Sequence, residues 1–270
     1  MTILETGEGV QIHPSAIITA QECYLDDRTV IGENVIIEGR FVRIGKEGWL
    51  DRGAHIGGGS CHDPGSALLA GDFLHMGVDS HINIAREVMI GNEVGIGIGT
   101  KIFTHGAYLP ADYGFPAQWG NVVIGSYVWL PHAWVHPGVT IGEHVVVSAM
   151  SLVNKSLPSG CLAGGIPVKI IKKNAYPNPT DVFWDVIKQT EAIIDNPMVR
   201  VLMPYDRYAL GDCIRIQTPL DKAVDYTTFD LGKRTIEGPV TKWTRVLKNQ
   251  LRRNGIRFRY KEENGEYVPW

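Results

Sequence analysis

Aliphatic side chains recur at every sixth position along the first part of this 270-residue chain, and no other feature restricts its fold as strongly. Neither the helical period of 3.6 residues nor the strand period of two reproduces that spacing. A longer internal period indicates a solenoid, in which each short repeat stacks on the next. The repeating aliphatic residues are Ile12, Ile18, Ile31, Ile37, Ile44, Leu50, Ile56, Ile84, Ile90, Ile96, Ile102, Ile124, Leu130, Val135, Ile141, Val147 and Val153.

A period of six fits one short strand followed by one turn, and three such units form a triangular coil. We expect each repeating aliphatic residue to point into the prism and the residue four positions later to fill a corner. Glycine or asparagine would occupy the turns, because larger residues resist the backbone angles needed there. An all-β sandwich would have to place seventeen phased aliphatic residues by chance. The predicted corner residues are Ala16, Val35, Val88, Val94, Thr100, Val128, Val145 and Ser151.

The repeat is interrupted in three places. The period is lost over residues 57–73, the step from residue 102 to residue 124 is longer than one coil, and the step from 130 to 135 is one residue short. Loops that leave a rigid scaffold commonly build binding and catalytic sites. We therefore expect pocket walls at the two long interruptions.

The composition changes after the last repeat, where prolines and charged residues become more frequent. We predict two domains: a β-helix over residues 1–173 and an α+β extension of unknown role over residues 174–270. The fold class is thus mainly β, a parallel β-helix with a small C-terminal appendage. In the extension, the patterns predict helices over 180–195 and 241–253 and strands over 213–217 and 225–231.

Charge and cysteine content exclude several classes of protein. The chain carries 26 basic and 29 acidic residues, a net charge of −3, which argues against general nucleic-acid binding. No apolar run reaches the roughly 18–20 residues that span a bilayer, and residues 1–10 do not resemble a secretory signal. The four cysteines form no CxxC pair. We expect a cytoplasmic protein with no nucleic-acid partner and no membrane insertion.

Four segments of the repeat region resemble the hexapeptide-repeat acyltransferases, most closely the branch of galactoside and maltose O-acetyltransferases and xenobiotic acetyltransferases. These segments are GVDSHIN (77–83), IFTHG (102–106), VWLPHAWVHPGVTIG (128–142) and SLVNKSLPSGCLAGGIPVKIIKK (151–173). The resemblance implies a left-handed β-helix, a homotrimer and acetyl-CoA as co-substrate. It covers roughly residues 10–173.

Acyl transfer to a hydroxyl or an amine needs a base that takes the proton of the acceptor. A neutral imidazole suits this role, because its ordinary pKa lies near physiological pH. The resemblance places the catalytic histidine at His105, at the start of the second long interruption. It also implies that Asn83 binds the acceptor hydroxyl. His81 lies nearby and is a further candidate for orienting the acceptor.

The second long interruption is rich in aromatic residues, with one carboxylate among them. Rings pack against the C–H faces of sugars while polar groups bind the hydroxyls, so this loop is a candidate acceptor site. The same rings could instead hold the loop against the solenoid or a neighbouring subunit. The candidate residues are Tyr108, Asp112, Tyr113 and Trp119, with Phe115 beside them.

The cofactor residues follow from the resemblance and lie toward the end of the repeat. Ala149 would line the pantetheine arm, Asn154 and Lys155 would meet the nucleotide, and Trp129 matches a frequent tryptophan of the family. Gly165 and Pro167 would offer a closely approachable backbone. Lys169 and Lys172 would bind the 3′-phosphate, at positions where relatives often carry arginine, which alone can form a bidentate contact.

Residues 242–261 contain eight basic and no acidic side chains. Such a run is usually a solvated helix face, and the alternative is a surface for an anionic acceptor.

Two other functions fit the same fold. A zinc enzyme like the gamma-class carbonic anhydrases would need three converging histidines, with His75, His81, His105, His132 and His136 as candidates. The His-x4-His pair of that class is not found, and no metal is expected. A non-catalytic scaffold would not need His105 or the GGIPVKIIKK segment. We therefore predict acetyl transfer from acetyl-CoA to a sugar hydroxyl; an amino sugar, an antibiotic hydroxyl or a nucleotide-linked sugar are alternative acceptors.

Overall fold

The structure is a computed structural model that describes residues 2–176, 179–196, 199–202, 213–220 and 223–270. The chain divides into two compact units, Met1–Tyr176 and Pro177–Trp270. The division falls just after the predicted end of the repeat domain.

The first unit is a prism whose three faces are parallel sheets of short strands. Each coil passes from face A to face B to face C and then returns to face A. Face A contains Ile3–Thr6, Glu22–Leu25, Phe41–Ile44, Leu68–Ala70, Val88–Ile90, Val122–Ile124 and Thr140–Ile141. Face B contains Gln11–Ile12, Val30–Ile31, Trp49–Leu50, His75–Met76, Gly95–Ile96, Trp129–Leu130, Val146–Val147, Leu162–Gly164 and the antiparallel Lys169–Lys172. Face C contains Ile17–Ile18, Ile36–Ile37, His55–Gly57, His81–Asn83, Lys101–Ile102, Trp134–Val135 and Leu152–Val153.

The repeating aliphatic residues form the core of this prism. Fifteen of the seventeen predicted positions are buried, and they pack into one continuous cluster. The two exceptions, Ile12 at 39% exposure and the half-buried Ile18, belong to the first coil, whose strands are paired on one side only. The predicted left-handed parallel β-helix is therefore confirmed, and burial of this aliphatic column supplies its main stabilising contribution.

The expectation that glycine or asparagine fills the turns is only partly correct. Positive φ angles also occur at larger residues, including Arg28, Glu47, Tyr127 and Met150. At each of these four, the backbone N–H donates to a carbonyl oxygen of another coil, over 2.8–2.9 Å. A non-glycine residue loses roughly 1–2 kcal/mol in this conformation. The hydrogen bond between coils offsets part of that loss, so the stacking overrides the local preference.

Both long interruptions leave the prism at the same edge, between faces C and A, which we call the C–A edge. The first follows the strand His55–Gly57 and rejoins at Leu68–Ala70, and the second follows Lys101–Ile102 and rejoins at Val122–Ile124. The second loop contains the short helix Ala111–Tyr113 and an antiparallel pair, His105–Gly106 with Gln118–Trp119. The two loops thus meet where the sequence predicts a pocket wall.

The second unit is an antiparallel sheet with two helices and its own core. The helices are α1, Pro179–Ile194, and α2, Lys242–Arg253, close to the predicted bounds. Thr241 and Thr244 form a reciprocal cap at the start of α2, and Gly255 follows its end at a φ of 81°. No helix in the described residues is long and apolar enough to cross a membrane. The strands are Arg200–Leu202, Cys213–Leu220, Ala223–Asp230, Thr235–Pro239, Tyr260–Glu263 and Glu266–Pro269.

Candidate active site

His105 lies at the C–A edge, at the start of the antiparallel pair in the second loop. Its Nδ1 is 2.9 Å from the Oδ1 atom of Asn83, on the last residue of a neighbouring face C strand. The imidazole is half-buried, and its Nε2 edge faces Gly59 of the first loop. Two loops and one strand therefore converge on this ring.

The hydrogen bonds of Asn83 determine the tautomer of His105. The Asn83 Nδ2 donates to the carbonyl oxygens of Gly57 and Gly59, each at 3.2 Å, so the amide nitrogen must point toward them. The Asn83 Oδ1 consequently acts as an acceptor, and it also receives the Thr104 hydroxyl at 2.8 Å. His105 must then carry its proton on Nδ1, which leaves the lone pair of the neutral ring on Nε2.

The contacts of Asn83 lie within the chain, and its predicted role in binding the acceptor hydroxyl stays a prediction. The side chain is 2% exposed, and both atoms of its amide are engaged by neighbours within the chain. An acceptor hydroxyl would have to displace one of these hydrogen bonds. The geometry instead suits a residue that holds the imidazole of His105.

Trp119, which the sequence assigns to the acceptor, stacks on the imidazole of His105. The two ring centroids are 4.9 Å apart, with an angle of 20° between the planes. The guanidinium of Arg86 lies 4.4 Å from the Trp119 ring centroid and is paired with Asp63 at 3.3 Å. Trp119 and Arg86 therefore restrict the movement of the imidazole.

Glu38 holds the first loop in place beside His105. Its Oε1 accepts the backbone N–H of Gly58 at 3.0 Å and lies 3.1 Å from the Nε2 of His55. Burial works against ionisation of this carboxyl, but the contacts from Gly58 and His55 hold its pKa below the ordinary value. The ionised carboxylate therefore fixes the glycine segment Gly57–Gly59 through the backbone N–H of Gly58.

His81 belongs to a row of rings on the outer surface of face C. Its ring stacks on His55 at 4.7 Å and meets the edge of Phe103 at 6.4 Å, and Phe103 in turn meets Trp134 at 5.8 Å. Burial, with a smaller contribution from His55, lowers the pKa of His81 to about 4. His81 is thus a neutral, packed ring near the glycine segment, and its Nε2 is buried without a hydrogen-bond partner among the described residues.

The remaining predicted acceptor residues lie on the outer part of the second loop. Tyr108 is 98% exposed, and Asp112 and Tyr113 are exposed in the short helix. Among the described residues, the contacts of His105 are with Asn83 and Trp119 and not with these three side chains. Their role in binding an acceptor stays a prediction.

An apolar cavity of about 300 Å³ lies at the other edge of face C, where it meets face B, which we call the B–C edge. Its lining residues come from the corners and strands of the last coils: His132, Trp134, Met150, Ser151, Leu152 and Ile166. Ile166 lies in the turn held by the Gly165 N–H, which donates to the Ser151 hydroxyl at 3.0 Å. This turn also contains Pro167, joined by a cis peptide bond.

None of the predicted cofactor residues lines this cavity, but several lie near its lining residues in the sequence. Ala149 is exposed in the corner next to Met150, and Asn154 and Lys155 are exposed just after the last strand of face C. Trp129, half exposed over Gly95, lies on face B. Lys169 and Lys172 are exposed on the final strand of that face. Both the location of the cofactor site and the individual roles of these residues stay predictions.

The candidate zinc ligands have separate surroundings. His75 pairs with Asp51 at 2.9 Å, His132 lies 2.8 Å from the carbonyl oxygen of Ile98, and His105 bonds to Asn83. Within the part of the chain that the structure describes, no group of three or more histidine, cysteine or acidic side chains is arranged to hold a metal ion.

The basic run of residues 242–261 is partly neutralised by its surroundings. Arg245 and Lys248 both contact Glu262, at 2.7 and 3.5 Å, and Lys248 donates to the Tyr260 hydroxyl at 2.7 Å. Arg252 and Arg253 are exposed at the end of α2. The choice between a solvated helix face and a surface for an anionic acceptor stays a prediction.

Sequence reasoning missed Glu38, Gly59, Arg86 and Thr104. Glu38 directly follows the face C strand Ile36–Ile37, at the position that aligns with Gly57 and Asn83, the last residues of the next two face C strands. The hexad register itself could therefore have placed Glu38 beside the first loop. Arg86 and Gly59 are placed at the site by the conformation of irregular loops, which the six-residue repeat does not predict.

Comparison with known proteins gives partial matches. No family model matches the chain. Galactoside O-acetyltransferase of Escherichia coli (strain K12) is 28% identical over 140 residues, which is 51% of this chain and 66% of that protein. WbbJ of the same strain, described as a lipopolysaccharide biosynthesis O-acetyl transferase, is 34% identical over 115 residues, 38% of this chain and 55% of that protein.

Among solved structures, AntD, an N-acyltransferase from Bacillus cereus in complex with dTDP and 3-hydroxybutyryl-CoA, aligns with a TM-score of 0.48 at 18% identity. The alignment covers 72% of this chain and 93% of AntD. The chain spans between half and two thirds of the length of the curated relatives given above. In its hexad repeat, its three-faced prism and its partial sequence matches, the chain is therefore similar to hexapeptide-repeat acetyltransferases such as galactoside O-acetyltransferase.

Proposed function

We propose that this protein is an acetyltransferase that moves the acetyl group of acetyl-CoA to a sugar hydroxyl, with His105 as the general base. The observation that carries the proposal is the hydrogen bond between His105 Nδ1 and Asn83 Oδ1, because it leaves Nε2 unprotonated at the C–A edge. The similarity to sugar O-acetyltransferases supports a carbohydrate acceptor.

In the reaction, the acceptor hydroxyl donates its proton to His105 Nε2 while its oxygen bonds to the acetyl carbonyl carbon. The carbon–sulfur bond then breaks, and the imidazolium returns the proton to the departing thiolate. Acceptor and thioester thus exchange one acyl group and one proton, and no acyl-enzyme is formed. Asn83 holds the required tautomer throughout, and the face of Trp119 stabilises the transient positive charge of the imidazolium.

The B–C edge suits the donor. Coenzyme A combines an uncharged arm with an anionic nucleotide, and the apolar cavity beside Met150 and Ile166 offers a surface for such an arm. The exposed Lys169 and Lys172 would attract the 3′-phosphate. The homotrimer that the sequence predicts belongs to the same proposal: coenzyme A would lie along the cleft between subunits, so that the donor at the B–C edge of one subunit reaches His105 at the C–A edge of another. The predicted cytoplasmic location is also part of the proposal.

The proposal is tested by incubating the purified protein with acetyl-CoA and a panel of acceptors that present sugar hydroxyls, sugar amines or nucleotide-linked sugars. Release of free thiol measures turnover, and mass spectrometry identifies the acetylated product. We expect thiol release that depends on a sugar acceptor, with acetyl on oxygen. Calorimetry should show coenzyme A binding that weakens when Lys169 and Lys172 are both replaced by alanine. No acceptor-dependent turnover together with no coenzyme A binding would refute the proposal.

A further inference from the structure

The three consecutive glycines of the first loop are glycine for different reasons. Gly57 and Gly58 have φ angles of 140° and 94°, a region that side chains other than glycine rarely adopt. Gly59 has no such angle, so its backbone does not require glycine. The absence of a side chain at Gly59 therefore needs another explanation.

The surroundings of Gly59 do not require glycine either. A Cβ atom built on Gly59 has only the imidazole of His105 within 4 Å, with its Nε2 at 3.6 Å and its Cε1 at 3.7 Å. Both are ordinary van der Waals distances, and the residue is exposed. An alanine would thus fit, but its methyl group would lie beside the edge of the ring that carries the basic lone pair.

The segment is also fixed, so a side chain at this position could not move aside. Asn83 Nδ2 holds the carbonyl oxygens of Gly57 and Gly59, and Glu38 holds the N–H of Gly58. The same amide that orients His105 therefore sets the distance between Gly59 and Nε2.

Building on the proposed function, we infer that Gly59 is a specificity-determining residue: its missing side chain is the opening through which the acceptor reaches Nε2 of His105. A hydroxyl oxygen must come within about 2.8 Å of this nitrogen to donate its proton. The substituents around the hydroxyl then occupy the space in front of Gly59. The opening therefore admits acceptors with a substituted ring carbon next to the hydroxyl, as in a secondary alcohol of a sugar, which a side chain at position 59 would hinder.

The first test measures access to Nε2 and does not depend on acetyl transfer. Diethyl pyrocarbonate acylates accessible neutral imidazole nitrogens, and peptide mass spectrometry reports the rate at each histidine. We expect Gly59→Val to slow the modification of His105 about tenfold and Gly59→Ala to slow it less. The exposed His13 serves as the internal reference. Gly65→Val is the matched control, because Gly65 is exposed in the same loop, has no positive φ, and its Cβ would meet only Arg86 at 3.9 Å.

The second test measures turnover with acceptors of graded size. We expect Gly59→Ala to lower kcat/KM about tenfold for a secondary sugar hydroxyl and less for a small primary alcohol, with the KM for acetyl-CoA unchanged. Circular dichroism spectra and melting temperatures like those of the wild type show that the variants fold.

The outcomes separate the two proposals. Unchanged modification of His105 in both Gly59 variants would overturn the inference, whatever the enzyme does. Slower modification of His105 in the Gly59 variants, together with no acetyl transfer by the wild type, would support Gly59 as the opening to Nε2 and refute the acetyltransferase function. Equal losses of kcat/KM for large and small acceptors would overturn the role of Gly59 in specificity.

Discussion

The two edges of face C are built from the same repeat but have opposite chemistry. At the C–A edge, loops replace the turns and bring together His105, Asn83 and Thr104 in a hydrogen-bonded network, and Glu38 holds the backbone of Gly58 beside it. At the B–C edge the turns stay short, and Met150, Ile166 and Trp134 line an apolar cavity. The row of rings His81, Phe103 and Trp134 lies on the face between them.

This difference teaches how a regular solenoid acquires a directional site. Long insertions are needed where a proton acceptor must be oriented, because orientation requires several converging donors and acceptors. A cavity for an apolar arm needs only side chains of different sizes in successive corners. We therefore expect changes at the C–A edge to lower kcat and changes at the B–C edge to raise the KM for acetyl-CoA.

The largest effect is expected for His105→Ala. Loss of the base should lower kcat by at least about 100-fold, with the KM for acetyl-CoA within about twofold of the wild type. Steady-state kinetics with saturating acceptor provide the measurement, and His13→Ala, at an exposed histidine of the first coils, is the control. Near-normal turnover of His105→Ala would remove the basis for assigning chemistry to the C–A edge.

Asn83→Ala should lower kcat by about 10- to 100-fold, because the hydrogen bond that keeps the proton of His105 on Nδ1 is lost while the basic imidazole remains. The pH dependence of kcat should also change, which a merely structural defect would not produce. Asn92→Ala is the matched control, since the Asn92 Oδ1 only accepts the backbone N–H of Asp72, at 2.8 Å. A variant in which KM for the acceptor rises and kcat is unchanged would favour direct acceptor binding by Asn83.

Met150→Glu should raise the KM for acetyl-CoA about tenfold and leave kcat almost unchanged, because it places a charge at the apolar cavity. The control is Met89→Glu, at a half-exposed methionine on face A. If both substitutions have the same effect, the cavity does not bind the donor and the proposed division between the edges fails.

The smallest effect concerns stability at acidic pH. The pKa of His81 is about 4 in the folded chain and 6.5 for an ordinary histidine, since burial excludes its charged form. Between pH 6.5 and about 4, His81 is therefore protonated in the unfolded chain but neutral in the folded chain. The free energy of unfolding should consequently decrease as pH falls through this range. Because the pKa of Glu38 is lowered in the folded chain, protonation of Glu38 decreases the free energy of unfolding further at the most acidic pH values. His55 and Lys101 contribute positive charge near His81, which also opposes protonation of His81.

Urea unfolding at several pH values measures this dependence. His81→Phe keeps a ring between His55 and Phe103 and should flatten the decrease, whereas His13→Phe should not. An equal slope for His81→Phe and the wild type would show that another group controls acid stability.

The sequence by itself determined the prism, because stacking three-sided coils buries aliphatic side chains that repeat every six residues in one continuous core. Its interruptions also located both long loops, and His105 stood at the start of one of them. In contrast, the tertiary structure decided that Asn83 faces an imidazole, that Trp119 stacks on it and that Gly59 lies opposite Nε2. Contacts of this kind join residues 14 to 46 positions apart through irregular loops. A periodic pattern cannot encode them, because it fixes which face a residue occupies and not where a loop returns.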